Sequence, residues 1–235
     1  MTISVPGQFN GPLTSGHGGY SSGVIAASME GPAEVTLRSP VPLDTPLDVS
    51  REGDGSVRVL DGEVLIAEAH PAAELGLEVP AAVSVPEAQL AAKRYLGSAD
   101  GLFGRCFVCG RGRKDALGVF AGRVDGRPLV ASPWTPPDWT ADADGQVLPE
   151  FIWAVLDCPT YFAVHTGGEL PMSFLGRMAT RIDAPVRAGE QQVVIAWPIG
   201  VDGRKRHAGA AVLSGEGVPL AVAHALMIEP RGGSR

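Results

Sequence analysis

The sequence predicts an α+β fold made of two similar units, each with one long helix packed against an antiparallel sheet. Strand-like segments of alternating small or apolar residues are joined by short glycine-containing turns, which is the spacing of antiparallel hairpins. These segments form two blocks, and a helical segment precedes each block. The length of 235 residues allows one large domain or two units of about 100 residues each.

Weak internal repetition supports the prediction of two related units. The segment "VLIAEAH" at 64–70 matches "VPLAVAH" at 218–224 with four of seven residues identical, and both alternate as half-buried strands do. Earlier in each block, "RSPVPL" at 38–43 resembles "RIDAPV" at 181–186, with arginine and proline in register. Similar strands in the same order after a helix predict one structural unit written twice.

The boundaries of the units follow from a change in composition. We predict an N-terminal unit over residues 1–80, a connector over 81–104 and a C-terminal unit over 105–235. The connector is rich in alanine and proline, and we expect it to pack along the surface. Its S-V-P-E sequence beginning at Ser84 predicts a capped start for a short helix that closes at Gly97.

Two longer helices are predicted, one in each unit. The first covers about 20–29 and ends before the Gly-Pro pair at 31–32. The second begins near Pro149, since proline is favoured in a first helical turn, and runs through "EFIWAVLDCPTYFAV". Pro159 is expected to kink this helix or to end its regular part.

Charge and cysteine content narrow the classes of function. A formal net charge of −7 disfavours nucleic acid and anionic membranes as partners, because both bind basic surfaces. No apolar run approaches the roughly 18 residues of a membrane span, and residues 1–12 do not resemble a secretory signal. Three cysteines, an odd and small number, argue against a disulfide framework. We therefore expect a cytoplasmic protein.

The stretch "GHGGYSSG" at 16–23 fits two catalytic patterns. One is the G-x-S-x-G elbow of serine hydrolases around Ser21, which requires a preceding strand in a parallel sheet that the short upstream segment cannot supply. The other is a glycine-lined helix start after His17, where unpaired amides of Gly18 and Gly19 bind a developing oxyanion. Taken alone, the stretch is explained most simply as a flexible turn.

The second helix contains the carboxylate that the first one lacks. Superposing the helix starts, with Gly18 on Pro149, places Ala26 opposite Asp157. Asp157 lies within the apolar run "IWAVLDCPTYF", and a buried carboxylate is costly unless it is hydrogen-bonded or functional. A cap on neighbouring backbone is the structural alternative. Glu150 falls on the same helix face and is a second-choice acid, with a solvated first-turn position as its simpler interpretation.

The chain resembles double hotdog-fold proteins of the acyl-CoA thioesterase type, in particular the phenylacetyl-CoA thioesterases. Their pattern of H-G-G, helix residues and L-A-D is divided here between "HGGYSSGVIA" and "LPEFIWAVLD". "CFVCG" at 106–110, followed by "LGVFAGRV", resembles the opening of many hotdog domains, and "GRMATRIDAPVRAGE" resembles the strand after their central helix. The resemblance implies two fused hotdog units, each a long central helix wrapped by an antiparallel sheet.

The resemblance also implies one composite active site between the units. His17, Gly18 and Gly19 come from the first unit and Asp157 from the second; Asp157 attacks a thioester or activates water while the glycine amides bind the oxyanion. The complementary site would have Ala26 and lack catalytic groups. The substrate is an acyl-CoA, so coenzyme A enters as part of the substrate and no cofactor is needed. A fused pair can still form a homodimer.

Further residues are candidates for substrate binding, each with a simpler structural explanation. The predicted contacts include serine hydroxyls in the first helical turn and a tryptophan. The densest basic cluster is predicted to hold the coenzyme A phosphates. The alternatives are core packing for the tryptophans and a solvated hairpin turn for the basic cluster. The predicted substrate-binding residues are Ser21, Ser22, Glu150, Trp153, Arg204, Lys205 and Arg206.

We expect no metal site. Cys106 and Cys109 form half of a zinc knuckle, but a structural site needs four ligands, and no second pair occurs at a useful spacing. For Cys158 a buried structural thiol is the default.

Thioester hydrolysis is the leading function, and three alternatives remain. The strongest is a non-catalytic acyl-CoA-binding hotdog protein, because each motif is only partly present. A hotdog hydratase would need an Asp and a His that converge on one substrate face within a single unit, and the sequence shows no such pattern. A serine esterase comes last.

Overall fold

A computed structural model of the chain describes residues 1–165 and 172–231. The described residues form three α-helices and eleven strands. The helices are Gly18–Ala26 (α1), Val85–Ala92 (α2) and Pro149–Val164 (α3). The strands before α2 are Thr2–Ile3 (β1), Ala33–Leu37 (β2), Leu47–Arg51 (β3), Val57–Asp61 (β4) and Val64–Pro71 (β5). The later strands are Gly122–Arg123 (β6), Val130–Trp134 (β7), Phe174–Ile182 (β8), Gln192–Asp202 (β9), Lys205–Ser214 (β10) and Pro219–Ile228 (β11).

All eleven strands join one antiparallel sheet in the order β1-β3-β4-β5-β2-β8-β11-β10-β9-β7-β6. Strands that precede α2 occupy one side of this order, and strands that follow it occupy the other. The two sides meet where β2 pairs with β8, with Val35 opposite Met178. The predicted α+β class with antiparallel pairing is therefore confirmed.

The same sequence of elements occurs on both sides of the sheet. After α1, β2 lies next to β5, and β4 separates β5 from β3; after α3, β8 lies next to β11, and β10 separates β11 from β9. The repeat between 64–70 and 218–224 falls on the corresponding strands β5 and β11. The predicted alignment of Arg38 with Arg181 is wrong by two residues. In the repeat, Glu68 of β5 corresponds to Val222 of β11. Because Thr36 pairs with Glu68 and Arg181 pairs with Val222, the residue that corresponds to Arg181 is Thr36.

The main core lies between one face of the sheet and the two longer helices. α3 packs on β9, β10 and β11, and α1 packs on α3, β2 and β8. Because α3 is covered by the sheet on one side and by α1 on the other, most of its residues are buried. This explains why Pro159 does not end the helix: α3 continues to Val164, since burial of its apolar residues outweighs the hydrogen bond that proline cannot donate, while the expected alternative, a kink at Pro159, stays a prediction.

The boundaries of α1 also differ from the prediction. The helix begins at Gly18 and ends at Ala26 instead of covering 20–29. The imidazole of His17 accepts a hydrogen bond from the Tyr20 amide and so caps the helix earlier than expected. Past Ala26, the amides of Ser28 and Met29 bond to carbonyls three residues back, so the chain continues as a tighter turn.

The connector helix α2 packs on the opposite face of the sheet at one end. α2 packs on β7 and β9 and buries Ala88 and Ala91 in a second apolar cluster with Val193, Ile195 and Trp197. It ends at Ala92 rather than at Gly97. No described helix combines the length and apolar character needed to cross a membrane.

The predicted cap of α2 is present as a reciprocal capping box. Ser84 Oγ accepts from the Glu87 amide at 3.4 Å, and the Glu87 carboxylate accepts from the Ser84 amide at 2.8 Å. We expect Ser84→Ala to lower the free energy of unfolding by about 0.5–2 kcal/mol, because the first turn loses its cap. Urea unfolding followed by circular dichroism measures the change. An unchanged midpoint would mean that α2 does not unfold with the rest of the chain.

Candidate active site

The start of α1 lies directly against the middle of α3. A Cβ atom built on Gly19 would lie 2.5 Å from the Trp153 carbonyl oxygen, and one built on Gly23 would lie 2.6 Å from the Glu150 Cα atom. Contacts this short exclude any side chain at either position. The two glycines therefore allow the helices to touch, and this contact positions the groups described below.

The Asp157 carboxylate of α3 accepts a hydrogen bond from the first turn of α1. The Gly19 amide donates to Asp157 Oδ2 at 2.7 Å, and His17 Nδ1 lies 3.6 Å from the same oxygen. Asp157 is only 7% exposed. A negative charge at a helix N-terminus is stabilised by the unpaired amides there. The structure thus brings His17, Gly18 and Gly19 together with Asp157, which follows Gly19 by 138 residues in the sequence.

Both titratable groups of this site are perturbed. Burial raises the pKa of Asp157 above the usual 3.8, and the opposing effects of His17 and of the Gly19 amide only partly offset it. For His17, burial lowers the pKa, but interactions with Cys106 and Asp157 more than reverse this, so its pKa is raised above 6.5. A carboxyl group with a raised pKa beside a cavity is typical of general bases and nucleophiles.

The His17 ring has two distinct contacts. Nδ1 accepts from the Tyr20 amide at 3.3 Å, which makes His17 the N-cap of α1, and Nε2 lies 3.2 Å from Cys158 Sγ. His17 is 3% exposed. His17 therefore caps α1 and also lines the cavity.

A cavity of about 430 Å³ opens beside Asp157. This volume is within the range of small-molecule sites. Its polar end contains His17, Gly18 and Asp157, and its remaining wall is largely apolar. Prominent lining residues are Leu37, Val41, Phe103, Tyr161, Phe162, Phe174, Leu175, Met227 and Ile228.

The two glycine amides are not equivalent. The Gly19 amide is occupied by Asp157, so it is not free to bind an oxyanion, contrary to the expectation that both amides do so. Gly18 lines the cavity, and its amide has no acceptor among the described residues. Gly18 N–H is therefore the donor available to a ligand.

The structure contradicts the serine esterase alternative. Ser21 lies inside α1 rather than on a strand-to-helix turn, and the sheet is antiparallel. Ser21 and Ser22 are both 0% exposed, neither lines the cavity, and within the described chain their hydroxyls have no hydrogen-bond partner. The structure therefore gives no support to the predicted substrate contacts of these two serines, because α1 directs both side chains into the core.

Two other predicted contacts also lie outside the cavity. Trp153 is buried where α3 touches Gly19 and Gly23, and Glu150 is half-buried in the first turn of α3. Neither residue lines the cavity, so the structure gives no support to either as a substrate contact. Core packing, the simpler explanation, accounts for Trp153.

The basic cluster lies beside the cavity rather than in it. Arg206 pairs with Met227 across β10 and β11, and Lys205 pairs with Ile228; both partners line the cavity. Arg206 forms an ion pair with Glu229, and Arg204 donates to the Glu229 carbonyl. The cluster is thus one strand away from the cavity wall.

Sequence reasoning missed several residues of the cavity. Arg38, which is largely exposed and paired with Glu68, stands in the cavity wall. Cys158 follows Asp157 directly and lies within 3.8 Å of Cys106, sulfur to sulfur. The C-x-x-C pair is evident in the sequence, but its nearness to α3 depends on tertiary structure. The sequence has no second pair at a useful spacing, but in the folded chain His17 and Cys158 lie close to Cys106.

Comparison with known proteins supports the fold. No family model and no curated protein sequence matches this chain. A putative thioesterase from Novosphingobium aromaticivorans aligns over 97% of this chain and 94% of its own, with a TM-score of 0.62 and 12% identity. A hotdog-fold protein of unknown function from Alicyclobacillus acidocaldarius aligns over 97% of this chain and 92% of its own, with a TM-score of 0.62 and 12% identity.

A third structure, a TesB protein from Mycobacterium avium subspecies paratuberculosis, aligns over 97% of this chain and 92% of its own. Its TM-score is 0.60 and its identity 12%. At such identities the likeness concerns architecture rather than activity. This chain therefore has a hotdog fold similar to those of thioesterase-like proteins.

Proposed function

We propose that the protein is an acyl-CoA thioesterase built from two fused hotdog units, with one composite site between them. The observation that carries this proposal is the 2.7 Å hydrogen bond from Gly19 N–H to Asp157 Oδ2, beside a cavity of about 430 Å³. It joins the start of the helix of one unit to the acid of the other. The matching order of strands on the two sides of the sheet supports the fused pair.

The site has the groups that thioester hydrolysis requires. Asp157 takes a proton from water, and the resulting hydroxide attacks the thioester carbonyl carbon. Gly18 N–H donates to the oxyanion, a contribution of about 3 kcal/mol for one donor. The C–S bond then breaks, and the thiolate leaves and takes the proton from Asp157. A thiol pKa of about 8.5 makes this leaving group good enough that no stronger acid is needed.

Direct attack by Asp157 is the second route. The carboxylate would form a mixed anhydride, which water then hydrolyses. Label found in the protein after single-turnover hydrolysis in H₂¹⁸O would establish this second route, because attack of water on the Asp157 carbonyl of the anhydride incorporates the label there. Direct attack of water on the thioester leaves the protein unlabelled.

We propose that the coenzyme A moiety of the bound substrate extends out of the cavity alongside positively charged side chains. Arg38 stands in the cavity wall, and Arg204, Lys205 and Arg206 lie one strand beyond it. Guanidinium groups bind phosphate in a bidentate manner. Acyl-CoA is therefore a better fit than an uncharged ester.

Activity is expected to fall in acid at a pH set by Asp157. Burial raises its pKa above 3.8, and only the ionised carboxylate can accept a proton, so kcat/KM should rise with pH through this raised pKa. Because the pKa of Asp157 is higher in the folded state than in the unfolded state, protonation of Asp157 stabilises the folded protein. This stabilisation is fully present below about pH 3.8 and is lost as the pH rises through the folded-state pKa.

Steady-state kinetics and urea unfolding across pH measure both effects. In Asp157→Asn, the contribution of Asp157 to the pH dependence of stability should disappear. In the wild-type protein, the pH midpoint for activity should agree with the pH midpoint for the loss of this stability. An activity midpoint at or below 3.8, or an unchanged pH dependence of stability in the variant, would show that Asp157 is not the titrating group.

Release of free thiol from a panel of acyl-CoAs, aliphatic and aromatic, tests the proposed function. The same acyl groups on acyl carrier protein are assayed in parallel. Turnover of at least one acyl-CoA supports the proposal, and the ratio between carriers shows which one is used. Tight binding of acyl-CoA without turnover would instead establish the alternative, a non-catalytic acyl-CoA-binding protein.

A further inference from the structure

All three cysteines of the chain line the same cavity as His17. Cys106 and Cys109 come from a turn that precedes β6, Cys158 from α3, and His17 from the start of α1. His17 Nε2 lies 3.2 Å from Cys158 Sγ, and Cys106 Sγ lies 3.8 Å from Cys158 Sγ. The three atoms are all within 4.8 Å of one another.

These separations match the edges of a metal coordination tetrahedron. With Zn–S near 2.3 Å and Zn–N near 2.0–2.1 Å, tetrahedral ligands place two sulfurs about 3.8 Å apart and nitrogen and sulfur about 3.5 Å apart. The observed 3.8 Å and 3.2 Å differ from these by a few tenths of an ångström at most. Small side-chain adjustments would therefore accommodate a cation.

The turn that presents the first cysteine is built to hold a sulfur anion. The Val108 amide donates to Cys106 Sγ at 3.4 Å, and the Gly110 amide donates to the Cys106 carbonyl at 2.9 Å. A Cβ atom on Gly110 would lie 2.5 Å from the same carbonyl, so only glycine allows the chain to close this tightly. A backbone N–H directed at sulfur favours the thiolate, which is the form that binds metals.

Cys109 supplies a further sulfur. Cys109 is buried and lines the same cavity as Cys106 and Cys158. Three thiolates and one imidazole form a common four-ligand set of structural zinc sites. The ligands would tie the segment 93–121, which contains no helix or strand, to both α1 and α3.

We propose that His17, Cys106 and Cys158 bind a soft divalent cation of the zinc type, with Cys109 as the fourth ligand. Metal binding at Nε2 requires that Nδ1 carry the ring proton. Nδ1 faces Asp157 Oδ2 at 3.6 Å, so the bound form has a carboxylate that orients the histidine ligand. The hydrogen bond from the Tyr20 amide to Nδ1 is then given up.

Metal content and a cobalt spectrum test this proposal without reference to enzymatic activity. The full chain is purified under reducing conditions, and bound zinc is measured by mass spectrometry of the elements. The metal-free protein is then titrated with Co²⁺. We expect one ion per chain, a thiolate-to-cobalt charge-transfer band and the visible bands of a tetrahedral site.

Single replacements identify the ligands. Cys106→Ser and Cys158→Ser should each weaken metal binding by more than about tenfold, since loss of even an outer partner costs 10- to 100-fold. His224→Gln, a histidine on β11 outside the cluster, should keep the wild-type Co²⁺ spectrum. If a cysteine variant fails to fold, the wild-type spectrum alone still decides whether sulfur binds the metal.

Two results would overturn the proposal. One is a reduced wild-type protein that takes up no zinc and gives a Co²⁺ spectrum without the charge-transfer band. The other is a Cys106–Cys158 disulfide that forms readily in air and persists when Zn²⁺ is present, which would make the cluster a redox pair. Either result leaves the thioesterase proposal untouched, since that rests on the hydrogen bond between Gly19 and Asp157 and on the Gly18 amide.

Discussion

Replacing Asp157 by asparagine is expected to lower kcat for thioester hydrolysis by about 10²- to 10⁴-fold while the protein stays folded. Asparagine has the size of aspartate, and its carbonyl oxygen can still accept the 2.7 Å hydrogen bond from Gly19 N–H. It can neither accept a proton from water nor attack a carbonyl group. Thiol release under saturating acyl-CoA measures the loss, and circular dichroism checks the fold.

Two comparisons make this experiment specific. Asp48→Asn removes an exposed carboxylate of β3 and should change kcat by less than about twofold, as most surface substitutions do. Glu150→Gln tests the second-choice acid, which lies outside the cavity. If activity survives Asp157→Asn but disappears in Glu150→Gln, the catalytic acid is Glu150, and our assignment of the chemistry to Asp157 is wrong.

Gly19→Ala is expected to lower the free energy of unfolding by about 1–3 kcal/mol and to reduce activity as well. The added methyl group would lie 2.5 Å from the Trp153 carbonyl oxygen and 2.6 Å from Asp157 Cβ. Both neighbours belong to the buried helix α3, so the two helices must separate. This separation lengthens the hydrogen bond between Gly19 and Asp157. Urea unfolding and thiol release measure the two losses on the same preparation.

Gly53→Ala provides the matched control. A Cβ atom at Gly53 has no neighbour within 4 Å, and the backbone there is not left-handed. Its effect should stay within about 0.5 kcal/mol. Equal effects of the two substitutions would contradict the close contact between α1 and α3 on which the site depends.

Much of the fold could be predicted because it depends on local patterns. The capped start at Ser84 and the proline at the start of α3 appear where the sequence placed them. Pro159 shows the limit of such reasoning. Its effect on the helix depends on how deeply α3 is buried between the sheet and α1, and one sequence gives no measure of that burial.

The candidate site could be predicted only in part. Asp157 stood out because a carboxylate is rare in an apolar helix, and His17 because glycines follow it. The burial of Ser21 depends on which face of α1 meets the core, and the near-uniform apolar character of that helix gives no clear polar face. The convergence of Cys158 with Cys106 depends on a contact between residues 52 positions apart.

A crystal structure with an acyl-CoA analogue tests the central claim most directly. In a suitable ketone analogue a methylene group separates the carbonyl carbon from sulfur, so the C–S bond of a thioester is absent. We predict that its carbonyl oxygen lies about 3 Å from Gly18 N–H and that its carbonyl carbon faces the Asp157 carboxylate. An analogue bound away from the contact between α1 and α3 would contradict the composite site.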